Sequence, residues 1–166
     1  MGNGVLLIGF MGAGKSSVAK ALGSLWKFPV ADTDAYIERC ENQSISAIFA
    51  EKGEEYFRDL ESEALEKLSQ SPGAVATGGG IILRKKNRKL LKDSGRSVFL
   101  KCGPDELLRR LEQDKSRPLI QGKGVSERLD MYRSRMPMYE SAANYVVYTD
   151  GKTVDEVAAE IAALLH

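Results

Sequence analysis

A three-layer α/β/α fold around a five-stranded parallel sheet is predicted by two features of this sequence. Short apolar runs, "VLLIG" (5–9), "PVADTD" (29–34), "AVATG" (74–78), "SVFLKC" (97–102) and "YVVYT" (145–149), alternate with longer stretches of helical period. Strands that alternate with helices pair in parallel and are covered on both faces. The chain is also 166 residues long and 43% hydrophobic, enough for one buried core and short for two, so residues 1–166 are expected to form a single domain.

The elements follow in order. Behind the first strand, "SVAKALGSLW" has helical period, with Trp26 expected to pack on the sheet. Between the second and third strands, residues 35–72 far exceed the dozen or so that a crossover helix needs, which predicts an inserted subdomain of short helices, about 33–61. "RKKNRK" (84–89) is the densest basic run; without interleaved aromatics it reads as a solvated helix start rather than a nucleic-acid site. "QDKSRPLIQGKG" (113–124) has no period and is expected to be a lid, about 112–124. At the end, Val154, Val157, Ala158, Ile161, Leu164 and Leu165 share one helix stripe.

Composition narrows the function. Lys plus Arg number 24 against 23 Asp plus Glu, a net charge of +1, so no whole-molecule field gathers nucleic acid or anionic membrane. Cys40 and Cys102 lack CxxC spacing and are read as structural; with His166 the only histidine, neither zinc nor a disulfide framework is indicated, and a reducing cytosol fits. No apolar run approaches the roughly 18 residues of a membrane span, and the first residues lack the basic flank of a signal peptide.

Gly9 to Ser16, "GFMGAGKS", fits G-x-x-x-x-G-K-[ST] between a strand and a helix. Glycines let backbone N–H groups close on phosphate oxygens, and the helix N-terminus adds its dipole. Lys15 is expected to reach the β- and γ-phosphates and the Ser16 hydroxyl to ligate Mg²⁺. On the second strand, Asp32 and Asp34 lie two apart and so on one face, Asp32 suited to a metal-bound water and Asp34 to the acceptor hydroxyl; the other reading has both capping the next helix. "FRDLE" puts Arg58 and Glu61 one helical turn apart, either a fork for a carboxylate or an ordinary surface pair. "TGGG" (77–80) forbids side chains, either because something approaches that backbone closely or because a tight turn follows the strand.

With "RPL" (117–119) and "RMPMYESAA" (135–143), these motifs make the chain resemble the shikimate kinase family over nearly its whole length. The resemblance implies a P-loop kinase fold and transfer of the γ-phosphoryl of ATP to the 3-hydroxyl of shikimate, with Mg²⁺ as cofactor. It implies ATP contacts from Gly12, Ala13, Gly14, Lys15, Ser16, Ser17, Arg110 and Arg117. Arg110 would lie on adenine, with Arg109 next to it as the alternative, and Arg117 would swing over the transferring phosphate. Substrate contacts would come from Asp34, Phe49, Phe57, Arg58, Glu61, Gly79, Gly80 and Arg135, with catalysis resting on Lys15, Asp34 and Arg117. Ser17 departs from a common Thr, which leaves Ser16 untouched. A cytoplasmic monomer that needs neither nucleic acid nor membrane is expected. The rivals are a gluconate or nucleoside-monophosphate kinase and a nucleotide-dependent switch; Phe49, Phe57, Arg58 and Arg135 favour a ringed monocarboxylate over the first, and an N-K-x-D guanine reader is missing for the second.

Overall fold

The structure, a computed structural model, describes residues 4–113 and 125–165. In chain order it runs β1 (Gly4–Ile8), α1 (Lys15–Trp26), β2 (Val30–Asp32), α2 (Thr33–Glu41) and α3 (Ile45–Leu68). There follow β3 (Gly73–Ala76), a 3-10 turn (Ile81–Leu83), α4 (Lys85–Ser94), β4 (Ser97–Lys101), α5 (Pro104–Gln113), α6 (Val125–Ala142), β5 (Tyr145–Tyr148) and α7 (Val154–Leu164). The strands form one parallel sheet in the order β2-β3-β1-β4-β5.

Alternation along β1 builds both faces of the sheet. Val5 and Leu7 join Val18, Ala19 and Leu22 of α1 and Val157, Ala158 and Ile161 of α7. Leu6 and Ile8 point the other way, to Leu65 of α3, Leu91 of α4 and Tyr132 and Tyr139 of α6. Trp26 packs at the margin of the first layer, edge to face with Phe28. Of the terminal stripe, Val157, Ala158 and Ile161 are buried and Leu165 is packed against them, while Val154 and Leu164 are exposed.

Strand order reverses at β1: the chain crosses from β1 to β2 and β3 on one side and then to β4 on the other. In such sheets a crevice opens beyond the carboxyl ends of the strands at that reversal, and ligands bind there.

Two sequence expectations change. The second strand ends at Asp32, because Asp32 Oδ1 accepts from the N–H groups of Asp34 at 2.9 Å and Ala35 at 3.1 Å and so starts α2 at Thr33. Asp32 and Asp34 therefore do not share a strand face: one caps the helix, and the other lies in its first turn. The long connection holds short helices as expected: α2, and in α3 two helices that meet at a kink at Gly53, where φ is 84° and ψ 172°. A left-handed φ is costly for any side chain, so this kink needs glycine. Ahead of it, Ile48 packs with Ile37 of α2; beyond it, Leu65 joins the sheet-covering layer. Finally, Cys40 is exposed on α2, whereas Cys102 is buried at the end of β4.

The basic run does begin a helix, but part of it is structural. Arg84 grips Asp59 at 2.5 Å and Glu55 at 2.8 Å on α3, and Arg88 donates to the carbonyls of Ile82 and Leu83.

Candidate active site

The loop between β1 and α1 supplies the donor half of the site. Gly12 and Gly14 hold left-handed φ values of 83° and 92°, which side chains rarely adopt. Lys15 is nearly buried, and its Nζ donates to the carbonyls of Gly9 at 2.6 Å and Phe10 at 3.1 Å, drawing the loop around the cation. Ser16 Oγ donates to Asp32 Oδ2 at 2.9 Å. One carboxylate thus caps α2 with one oxygen and meets the serine hydroxyl with the other. Two hard oxygen ligands side by side at a phosphate loop suit Mg²⁺, which keeps most of its waters and takes few protein ligands.

Helix α5 settles which arginine faces the loop. Arg110 Nη1 donates to the carbonyls of Gly12 and Ala13, each at 3.3 Å, while Arg109 is largely exposed and paired with Glu106. A cavity of about 290 Å³ is bounded by Gly12, Gly14, Lys15, Ser16, Ser17, Asp32, Asp34, Thr77 and Arg110. Arg117 and the expected lid, apart from its first two residues at the end of α5, lie outside the described residues.

The acceptor half is built from α3 and the turn after β3. Arg58 Nη1 donates to Glu61 Oε1 at 2.6 Å, and both side chains are buried, 6% and 2% exposed, so this is no surface pair. Glu54 takes the Arg58 Nε at 3.2 Å. Burial pushes the Glu61 carboxyl up to about 7, and Arg58 and Arg135 offset this only in part, while Asp34 adds to it. All three of those charges therefore act on Glu61.

The glycines of "TGGG" are required by these side chains. A methyl at Gly78 would come within 2.6 Å of Glu61 Oε2, and one at Gly80 would overlap the Arg58 guanidinium. None of the three has a positive φ between +20° and +160°, so at Gly78 and Gly80 it is close approach rather than turn geometry that opposes a side chain, while a methyl at Gly79 would meet Met11 Cγ at 3.2 Å. A small cavity of about 50 Å³ lies between this turn and α3, with Phe49, Phe57, Arg58, Glu61 and Gly78 to Gly80 on its wall. The Phe49 and Phe57 rings are 4.8 Å apart. Asp34 lines both this cavity and the phosphate-side one.

Arg135 reaches the site from α6. It is buried, with its guanidinium 5.8 Å from the Phe10 ring centroid. Among the described residues neither Arg135 Nη1 nor Arg58 Nη2 has a hydrogen-bond partner, although both are buried. Buried donors of that kind call for an acceptor, and a guanidinium pair calls for an anion.

Sequence reasoning gave no role in the site to Thr33, Thr77 or Tyr139. Thr33 Oγ1 accepts from the Gly78 N–H at 3.0 Å, joining α2 to the glycine turn, and Thr77 Oγ1 donates to the Leu7 carbonyl at 2.8 Å. Thr33 stands between the two aspartates that drew attention, and its apparent role as a spacer concealed it.

The shikimate kinase family model matches residues 11–166. A shikimate kinase of Dictyoglomus turgidum is 41% identical over 166 residues, covering 97% of this chain and 96% of that one. A solved shikimate kinase from Acinetobacter baumannii, in complex with shikimate, superposes with a TM-score of 0.91 at 36% identity, covering 97% of this chain and 91% of the other. A gluconokinase from Sinorhizobium meliloti, at a TM-score of 0.59 and 19% identity over 97% of this chain and 90% of its own, shares the fold alone. The chain therefore belongs to the shikimate kinase family.

Proposed function

We propose that the crevice at the carboxyl ends of β1, β2 and β3 transfers the γ-phosphoryl group of ATP to the 3-hydroxyl of shikimate, giving shikimate 3-phosphate and ADP. The observation that carries this is Asp34, which lines both the phosphate-side cavity and the aromatic, arginine-bearing one. A hydroxyl between the two would meet the donor phosphate on one side and a carboxylate on the other.

Backbone N–H groups from Gly12 to Ser17 hold the nucleotide phosphates, Lys15 reaches the transferring group, and Arg110 covers the nucleotide from α5. Ser16 and, through water, Asp32 would hold Mg²⁺, which would supply charge neutralisation at the phosphates when bound. Arg58, Arg135 and the turn at Gly79 and Gly80 take the substrate carboxylate, with Phe49 and Phe57 against its ring and Glu61 bracing Arg58. Asp34 orients the 3-hydroxyl and accepts its proton. Arg117 neutralises the moving phosphoryl group from a lid at about 112–124, and residues 33–61 form the substrate-binding part of the single domain 1–166. Phosphoryl transfer needs alignment and charge neutralisation more than covalent chemistry, which is what these residue types supply.

We place this activity in a cytoplasmic monomer that acts on small molecules. No helix among the described residues is long and apolar enough to cross a membrane, and Arg84 and Arg88 of the basic run are engaged within the fold. A coupled ADP-release assay with shikimate, quinate and gluconate in parallel tests the assignment. Turnover with shikimate well above the other two is expected, and ADP release with none of them overturns it.

A further inference from the structure

Thr33, the first residue of α2, is fully buried between the two aspartates, and its Oγ1 accepts from the Gly78 N–H at 3.0 Å. That bond extends the sheet by a side chain. Backbone N–H groups along a strand point alternately to its two edges, and the Thr77 N–H goes to the Leu7 carbonyl of β1 at 3.1 Å. The Gly78 N–H faces the β2 side, where the ladder has ended with Asp32 opposite Ala76 and the chain has turned into α2. Thr33 Oγ1 takes the place of a strand carbonyl there and satisfies a buried donor. Farther along the turn, the Gly79 carbonyl accepts from the Tyr139 hydroxyl, so Tyr139 ties the turn to α6 and Thr33 ties it to α2. The same three residues of the chain meet both halves of the site: Asp32 receives Ser16 of the phosphate loop at 2.9 Å, Thr33 receives the glycine turn, and Asp34 lines both cavities. A Cβ on Gly78 would lie 3.0 Å from Asp34 Oδ1, so the Asp34 carboxylate stands beside the residue whose N–H Thr33 holds.

We propose that Thr33 is a positioning residue for Asp34: its hydroxyl pins the first turn of α2 to Gly78 and so sets where the Asp34 carboxylate stands between the two cavities. This rests on the reading of Asp34 as the group that orients the acceptor hydroxyl and takes its proton. Thr33 lines neither cavity and acts through its neighbour. A carboxylate held off its place meets the hydroxyl out of line, which slows the chemical step and leaves the contacts of the phosphate loop with ATP intact.

Thr33→Val keeps the branched shape and removes the acceptor. Steady-state kinetics, run where circular dichroism shows the variants folded, should give a kcat lowered roughly tenfold, short of the roughly 100-fold that a 1 Å misplacement can cost, with the KM for ATP within about twofold of the parent. Thr33→Ser restores the hydroxyl without the methyl and should keep kcat within about twofold. A parent-like kcat in Thr33→Val overturns the proposal, and so do equal losses in the Val and Ser variants, because packing of the methyl would then account for both. Combining Thr33→Val with Asp34→Asn gives a readout that a merely structural role would not move. If Thr33 acts through the carboxylate, the double variant stays within about twofold of Asp34→Asn, whereas losses that multiply overturn the proposal. Asp34→Asn by itself separates this failure from failure of the site reading: a parent-like kcat there removes Asp34 from the chemistry, and the proposal with it. Should Thr33→Val not fold, Thr33→Ala takes its place in the same comparisons, and a kcat no lower than that of Thr33→Ser overturns the proposal.

Discussion

Arg58 donates to Glu61 at 2.6 Å across one turn of α3, and the pair closes over Gly80 and Gly78, the positions where a methyl would strike each partner. The pair and the glycines are thus one device, in which α3 can approach the turn only because the turn has no side chains.

Gly80→Ala tests that dependence. The new methyl must push Arg58 off its present place, an overpacking that costs about 1 to 3 kcal/mol and lowers the melting temperature by roughly 5 °C. Shikimate KM is expected to rise with ATP KM unaltered. Parent-like values for both substrates would show that Arg58 can move aside without consequence.

Glu61 gives a pH prediction. Its carboxyl is raised from 4.5 to about 7 by burial, so in the folded chain it keeps its proton over a range where the unfolded chain has lost it. The stability it contributes is complete below about pH 4.5 and declines as pH rises to about 7, by up to about 3 kcal/mol. Melting temperatures of the parent and of Glu61→Gln, followed from pH 4.5 to 8, should diverge across that window, with the parent losing ground toward pH 7. Parallel curves would mean that Glu61 titrates normally.

The same proton couples to substrate. A bound carboxylate at Arg58 repels ionised Glu61 and favours its protonated form, so binding takes up a proton and weakens as pH rises through about 7. The shikimate KM of the parent should climb between pH 6 and 8.5, and that of Glu61→Gln should stay flatter. Equal slopes in the two proteins would remove the coupling.

Much of this site was legible because its chemistry is written locally. "GFMGAGKS" carries its strand, loop and helix within a few residues, and the alternation of apolar strands with helical stretches foretold both covering layers. What escaped depends on contacts distant in sequence. Whether Asp34 continued a strand or began a helix was decided by two hydrogen bonds to Asp32, a capping pattern that the sequence permitted without requiring. The purpose of Gly78 and Gly80 lies in side chains some twenty residues earlier, and that of Tyr139 in a carbonyl sixty residues away. Arg110 was readable in principle: it falls three residues after buried Leu107, on the inward face of α5, whereas Arg109 does not.

Lys15→Met removes a buried cation that holds two carbonyls of the phosphate loop, at 2.6 and 3.1 Å. The isosteric stem keeps the packing, while the charge facing the β- and γ-phosphates is lost. A fall in kcat of at least about 100-fold is expected, the scale for deleting one preorganised electrostatic contact. Near-parent turnover in the coupled assay would remove the loop from the mechanism.

Asp34→Asn separates positioning from chemistry at the junction of the two cavities. The amide preserves size and can still hydrogen-bond a hydroxyl, yet it cannot accept the proton that leaves on phosphorylation. The loss belongs to the chemical step, so kcat should fall by about 10² to 10⁴ while ATP affinity, set by the loop and Arg110, holds within a few fold. Asp34 is also one of the charges that raises Glu61, and neutralising it must lower the Glu61 pKa and move the shikimate KM profile to lower pH. That second readout guards against a trivial loss of folding: a misfolded variant would lose the profile, whereas an intact one lacking its base would keep it, displaced toward acid.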